Sequence, residues 1–147
     1  LMQIIGTHGV PPQRLCIEIT EGVLMDFDRA QRMLAELVDF GLTISIDDFG
    51  TGFSSLSYLK RFPIHELKIA RSFIDGISSN ADDRAIGSAI ISLARHLGMT
   101  VVAEGVEASD QHSELDASGC HNGQGYLYAY PLSPDVFGDW LRVRNLH

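Results

Sequence analysis

Five apolar runs in this chain each carry a polar side chain inside or just beyond their C-terminal half: Glu18, the pair Asp47-Asp48, Lys68, Glu104 and Gln124. Any one of these is an ordinary solvated strand end. Their recurrence in five successive runs is the informative feature, because functional groups of a (βα)-barrel project from the C-terminal strand ends toward one mouth. Four carboxylates and one lysine drawn into one cleft repel each other unless cations join them. Hard divalent ions such as Mg²⁺ or Mn²⁺ take oxygen ligands of this kind. Two such ions side by side suit phosphoester hydrolysis, clamping the attacking and leaving oxygens.

Other chemistries find little support. No residues resemble a nucleophilic Ser or Cys triad. The histidines (His8, His65, His96, His112, His121, His147) are scattered over expected helix ends and loops and read as surface or packing residues. Gly50-Thr51-Gly52 is a weak phosphate-loop signal, since it lacks the Lys-Ser/Thr ending of a P-loop. It reads better as a mobile βα loop at the mouth, beside Asp47-Asp48. Cys16 and Cys120 have no metal-ligand spacing and are too few for a disulfide framework, so a reducing, cytoplasmic compartment is the default.

The elements that position these residues follow from apolar spacing and from punctuation. Residues 1–7 read as a helix tail, stopped by Gly9 and Pro11-Pro12. Strands are expected at Leu15–Ile19, Leu42–Ile46, Glu66–Ile69, Thr100–Ala103 and Gly123–Leu127. Helices are expected at Asp28–Phe40, Ser55–Arg61, Arg84–Leu97 and Asp110–Ala117. A last helix opens at Ser133-Pro134, an N-cap followed by proline at the first helical position, and runs to Leu141. Strands alternating with helices imply an α/β fold of parallel strands joined by crossovers. An open doubly wound sheet and a (βα)-barrel both satisfy that pattern.

The chain has 147 residues, 45% of them apolar, enough for a real core. Its net charge of −8 argues against electrostatic binding to DNA or an anionic membrane. A nucleotide ligand stays compatible, because bound divalent cations attract phosphate. No apolar run approaches the ~18–20 residues of a membrane helix, and the N-terminus has no signal-peptide pattern.

Several blocks resemble one known family: Glu18-Ile19-Thr20-Glu21, Asp47-Asp48-Phe49-Gly50-Thr51-Gly52-Phe53-Ser54-Ser55-Leu56, Leu67-Lys68-Ile69, Glu104-Gly105-Val106-Glu107 and Gln124-Gly125-Tyr126. From about Gly9 to Leu141 the chain is similar to EAL domains, bacterial phosphodiesterases that cleave cyclic di-GMP to the linear dinucleotide pGpG. The resemblance implies an eight-stranded TIM-like (βα)-barrel with two Mg²⁺ or Mn²⁺ ions at its mouth. It implies Glu18 and Asp47 as metal ligands, Asp47 bridging the ions and Asp48 serving the second. It places Glu104 near the second metal and the attacking water, Lys68 as the group that orients that water and stabilises phosphate charge, and Gln124 as a polar contact closing the site. Glu21 resembles the glutamate anchoring the loop Phe49–Leu56, through which such domains form homodimers. Upstream sensory or diguanylate-cyclase-like domains are common in the family.

Two departures qualify this pattern. The chain holds only about the last five βα units, and the Glu-Ala-Leu signature and the asparagine of the following strand have no counterpart before Glu18. The expectation is a C-terminal portion of the domain, cut from a longer protein and weakly active alone. The second departure is Ala70, where the family usually has an aspartate near the second metal. It opens an alternative: a catalytically degenerate domain acting as a cyclic di-GMP receptor or protein-interaction module.

Overall fold

Parallel strands lie side by side in strict chain order: β1 (Cys16–Thr20), β2 (Thr43–Phe49), β3 (Glu66–Ile69), β4 (Thr100–Glu104) and β5 (Asn122–Gln124). The structure, a computed structural model, describes residues 2–52, 59–120 and 122–144. The helices in those segments are α1 (Met2–His8), α2 (Phe27–Asp39), α3 (Arg71–Ile74), α4 (Ala81–His96), α5 (Ser109–Ala117) and α6 (Pro134–Arg144). Short 3₁₀ turns occupy Pro12–Arg14 and Glu21–Met25.

Strand order decides between the two folds left open by the sequence. A doubly wound sheet reverses its strand order at a switch point. Here each strand pairs with its predecessor and no reversal occurs. Right-handed crossovers then put successive helices on one face, and the sheet is an arc of a TIM-like barrel.

The two faces of that arc differ in chemistry. Ile19, Ile44, Ile46, Leu67, Ile69 and Ala103 are buried in one apolar core. Ala30 and Leu34 of α2, Ile74 of α3, Ile90, Ile91 and Ala94 of α4, and Leu115 of α5 pack into the same core. Side chains alternate along each strand, so Glu18, Ser45, Asp47, Glu66, Lys68 and Glu104 share the opposite, concave face. Burying the apolar face of the sheet under helices thereby gathers the polar side chains in front of it.

Helix ends set where β2 and β4 begin. Gly41, with φ of 101°, lets Leu42 N–H reach back to the Leu37 carbonyl (3.1 Å) just before β2 starts. Gly98, with φ of 73°, does the same before β4, with Met99 N–H on the Ala94 carbonyl (2.9 Å). At the other end of α4, Asn80 caps the helix by accepting from Asp82 N–H at 2.8 Å, which starts it three residues before the expected Arg84.

Local features at β2, at β5 and in two short helical pieces differ from the sequence expectation. β2 continues through Asp47-Asp48 to Phe49, so these carboxylates lie within the strand and not beyond it. β5 ends at Gln124; residues 125–128 turn against the β4–α5 loop, with Leu127 N–H on the Val106 carbonyl at 3.0 Å and Tyr128 N–H on the Gly125 carbonyl at 3.1 Å. α3 and the Glu21–Met25 turn are too short to leave a periodic signal. The expected Ser55–Arg61 helix and the distal half of the loop Phe49–Leu56 fall mostly on residues 53–58, outside the described residues. No helix among the described residues is long and apolar enough to cross a membrane.

Candidate active site

Lys68 stands at the centre of the concave face near the strand ends. Its ammonium lies 2.6 Å from Glu104 Oε1, 3.0 Å from Glu18 Oε2 and 3.3 Å from Asp47 Oδ1. The lysine is buried, Glu104 mostly so, while half of the Glu18 side chain remains exposed. Four strands therefore bring one cation among three carboxylates. Burial alone would lower the Lys68 pKa, but the hydrogen bonds to Glu104 and Glu18 and the attraction of Glu104 and Asp47 outweigh it and push it up. Burial, aided by the negative charge of Asp47 and Asp48, pushes the Glu104 carboxyl above the usual carboxylate range despite its bond to Lys68.

A fourth carboxylate joins through a break in strand regularity. In a regular strand Asp47 and Asp48 would point to opposite faces. Ile46 pairs with Leu67 but Phe49 pairs with Ile69, so three steps on β2 face two on β3. This bulge re-aims a side chain. Asp48 takes up the irregularity in the left-handed region at φ 52°, which aspartate tolerates better than most residues. Its N–H donates to Asp47 Oδ1 (3.1 Å), and its carbonyl accepts from Thr51 Oγ1 (2.9 Å). As a result Asp47, Asp48 and Glu104 each present an oxygen within 4.8 Å of the others, a hard donor set that fits a divalent cation.

Behind this group, Glu21 ties the 3₁₀ turn after β1 to the loop after β2. Its Oε1 accepts from Gly50 N–H at 2.6 Å. Gly52 passes so close that a Cβ there would lie 2.7 Å from Glu21 Oε2. Gln124 pairs with Glu104 across β4 and β5 and lines the same cleft as Glu104, Arg71 and Tyr126. The structure thus gathers Glu18, Asp47, Asp48, Lys68, Glu104 and Gln124 on one mouth and sets Glu21 at the base of the adjoining loop. Ala70 is buried at the N-cap of α3, where no side chain caps the helix.

The sequence reading passed over Arg71. Its Nη2 lies 2.8 Å from Glu107 Oε1 at the rim of the cleft. The available signal was its place directly after β3, since βα loops line a barrel mouth. The histidines that are described, His8, His65, His96 and His112, are exposed surface residues: His65 Nδ1 accepts from Ile44 N–H, and His112 Nδ1 lies 3.1 Å from the Tyr128 hydroxyl.

Known proteins place this arrangement in context. A family model described as EAL domain matches residues 1–131. The chain is 44% identical over 138 residues to the signaling protein YkoW of Bacillus subtilis, covering 93% of this chain and 17% of that protein. It is 48% identical over 126 residues to the bifunctional diguanylate cyclase/cyclic di-GMP phosphodiesterase MucR of Pseudomonas aeruginosa, covering 85% of this chain and 18% of that protein. The chain therefore spans about a fifth of the length of these relatives. Among solved structures, the PaMucR phosphodiesterase in complex with c-di-GMP superposes with TM-score 0.88 at 43% identity, covering 92% of this chain and 55% of that one. The EAL domain of Mycobacterium smegmatis DcpA gives 0.90 at 38% identity over 97% of this chain and 64% of that one. A manganese/cy-diGMP complex of Klebsiella pneumoniae BlrP1 gives 0.82 at 34% identity over 88% of this chain and 33% of that one.

Proposed function

The chain belongs to the EAL domain family, and on that premise we propose that it carries the C-terminal part of a metal-dependent phosphodiesterase site that opens cyclic di-GMP to linear pGpG. The observation that carries this reading is the convergence of Glu18, Asp47, Asp48, Lys68 and Glu104 on one polar mouth, with three carboxylate oxygens within 4.8 Å of one another. Glu18 and Asp47 would hold one Mg²⁺ or Mn²⁺ ion, and Asp47, Asp48 and Glu104 would face the second. When bound, such ions polarise a phosphodiester and clamp its attacking and leaving oxygens.

The remaining work falls to side chains. Lys68 stays protonated across the physiological range and directs positive charge at the mouth, where negative charge grows on phosphate oxygens during attack. Glu104, with its pKa raised by burial and by neighbouring carboxylates, is suited to take a proton from the attacking water. Gln124 offers both donor and acceptor groups to orient the nucleotide. Glu21 holds the β2 loop in register with the carboxylates through Gly50.

The reading extends to a parent protein with upstream sensory or diguanylate-cyclase-like domains, a cytoplasmic setting, and homodimers formed near Phe49–Leu56. One observation favours a second reading, nucleotide binding without turnover. Ala70 leaves the mouth one carboxylate short of the family pattern. The test is to incubate the purified chain with cyclic di-GMP and Mn²⁺ or Mg²⁺ and to separate products by chromatography. Linear dinucleotide that disappears on chelation and in Glu104→Gln supports hydrolysis. Metal-dependent binding without product supports the receptor. Absence of both in this chain and in the longer parent protein overturns the two together.

A further inference from the structure

The β4–α5 loop, residues 105–108, runs along the mouth directly after Glu104 and is pinned at three points. Val106 N–H donates to the Gln124 carbonyl, and the Val106 carbonyl accepts from Leu127 N–H, both at 3.0 Å. Glu107 pairs with Arg71. The third point is Gln111 on the first turn of α5, only 8% exposed. Its Oε1 accepts from Glu107 N–H at 2.8 Å and from Ala108 N–H at 3.0 Å, and its Nε2 donates to the Ile74 carbonyl at 3.2 Å.

This buried amide spends its hydrogen bonds on two βα segments at once. Ala108 has no side-chain acceptor, so only the return half of a capping box forms, and Gln111 supplies it. The other end of the amide holds the last residue of α3, the helix that Arg71 opens. Both members of the Arg71–Glu107 pair therefore sit in segments that Gln111 joins. Gly105, at φ 72°, completes the fit: a Cβ there would lie 2.5 Å from Arg71 Cγ, so the arginine stem rests on bare loop backbone.

Arg71, Glu104, Glu107, Gln124 and Tyr126 line an open cleft of about 230 Å³. Arg71 is the one cation among the described residues lining it. A guanidinium only donates, so its complement on a nucleotide is an acceptor, either a phosphate oxygen or the O6/N7 edge of guanine.

We propose that Gln111 is a positioning residue that fixes Glu107, and through it Arg71, for binding the cyclic dinucleotide at the rim of the site. The nucleotide half of this rests on the function proposed above; the clamp itself does not. Gln111→Leu should lower hydrogen-exchange protection at the Glu107 and Ala108 amides. It should weaken cyclic di-GMP about tenfold, as Kd or as KM where product forms, while Mn²⁺ affinity and kcat hold within about twofold. Gln111→Glu keeps the acceptor and should retain protection at both amides and most of the affinity. In an Arg71→Ala background Gln111→Leu should add nothing further. Glu107→Gln repeats the affinity test without touching α5, should Gln111→Leu not fold.

Unchanged nucleotide affinity in Gln111→Leu overturns the positioning role. Equal losses of Mn²⁺ and nucleotide overturn it as well, reducing Gln111 to a structural support. A parent chain that binds Mn²⁺ but no cyclic di-GMP sinks the phosphodiesterase reading and the nucleotide half of this one. The exchange comparison then still decides the clamp, and unaltered protection in Gln111→Leu overturns it.

Discussion

Lys68→Met tests whether a lysine is the internal counter-ion of the metal-free site. The lost ammonium sits 2.6, 3.0 and 3.3 Å from Glu104, Glu18 and Asp47. Methionine keeps an unbranched, adaptable stem in the buried slot, so the change is mainly one of charge. Four carboxylates, counting Asp48, then share the mouth without the ammonium that contacts three of them. Removing one partner of a buried ion pair costs about 3–5 kcal/mol, and water around the half-exposed Glu18 screens part of that, so about 3 kcal/mol is expected. At roughly 2–4 °C per kcal/mol for a chain of this size, Tm should fall by about 6–12 °C. The assay is a thermal melt in EDTA near neutral pH.

Two rescues follow from the same charges. Mn²⁺ at roughly 100 times its Kd should restore about 2.7 kcal/mol by mass action. Acid should help as well. Glu104 already has a raised pKa in the folded chain, and losing the lysine raises it further. A carboxyl raised on folding contributes stability at low pH and loses it as pH climbs from the unfolded value through the folded one. The variant's deficit should therefore shrink from about pH 7.5 toward about pH 5. Lysine titration does not confuse this window, because the raised Lys68 pKa keeps its contribution intact until strongly alkaline pH. A Lys68→Met chain that melts with the parent in EDTA, with neither rescue having any effect, would refute the counter-ion argument.

Two further substitutions probe the elements around the mouth. Ala70→Asp supplies the missing N-cap of α3, worth about 1 kcal/mol in a melt with Mn²⁺ present, and adds a carboxylate on the Lys68 face. Calorimetry should show tighter Mn²⁺ and, where the chain turns over, the chromatographic assay should show faster product; no change in either would mean that position 70 does not reach the metal site. Glu21→Ala removes the acceptor of a 2.6 Å charge-assisted hydrogen bond, an expected loss of about 1.5–3 kcal/mol with faster amide exchange at Gly50. Protection at Gly50 that survives would show that the loop is held by something else.

Much of this protein could be read from local sequence. The residue types at the mouth lie inside or next to short apolar runs, and a strand exposes its own polar positions whatever its neighbours are. Glycine stops at Gly41 and Gly98 were legible because a left-handed turn is a property of a few adjacent residues. The motif blocks around Glu18, Asp47, Lys68 and Glu104 carried the family for the same reason. Pairing was the part that local signals did not contain. Barrel arc and doubly wound sheet share one pattern of strands and helices, and only the order β1 to β5 separates them. That Asp47 and Asp48 both serve the mouth depends on a bulge set by the register of β2 against β3. The Arg71–Glu107 pair and the Gln111–Ile74 bond of the clamp join residues 36 and 37 positions apart through contacts made once the loops have packed. Periodicity reports what a segment can bury, whereas the partner that buries it, and the polar groups brought face to face as a result, are decided by long-range packing.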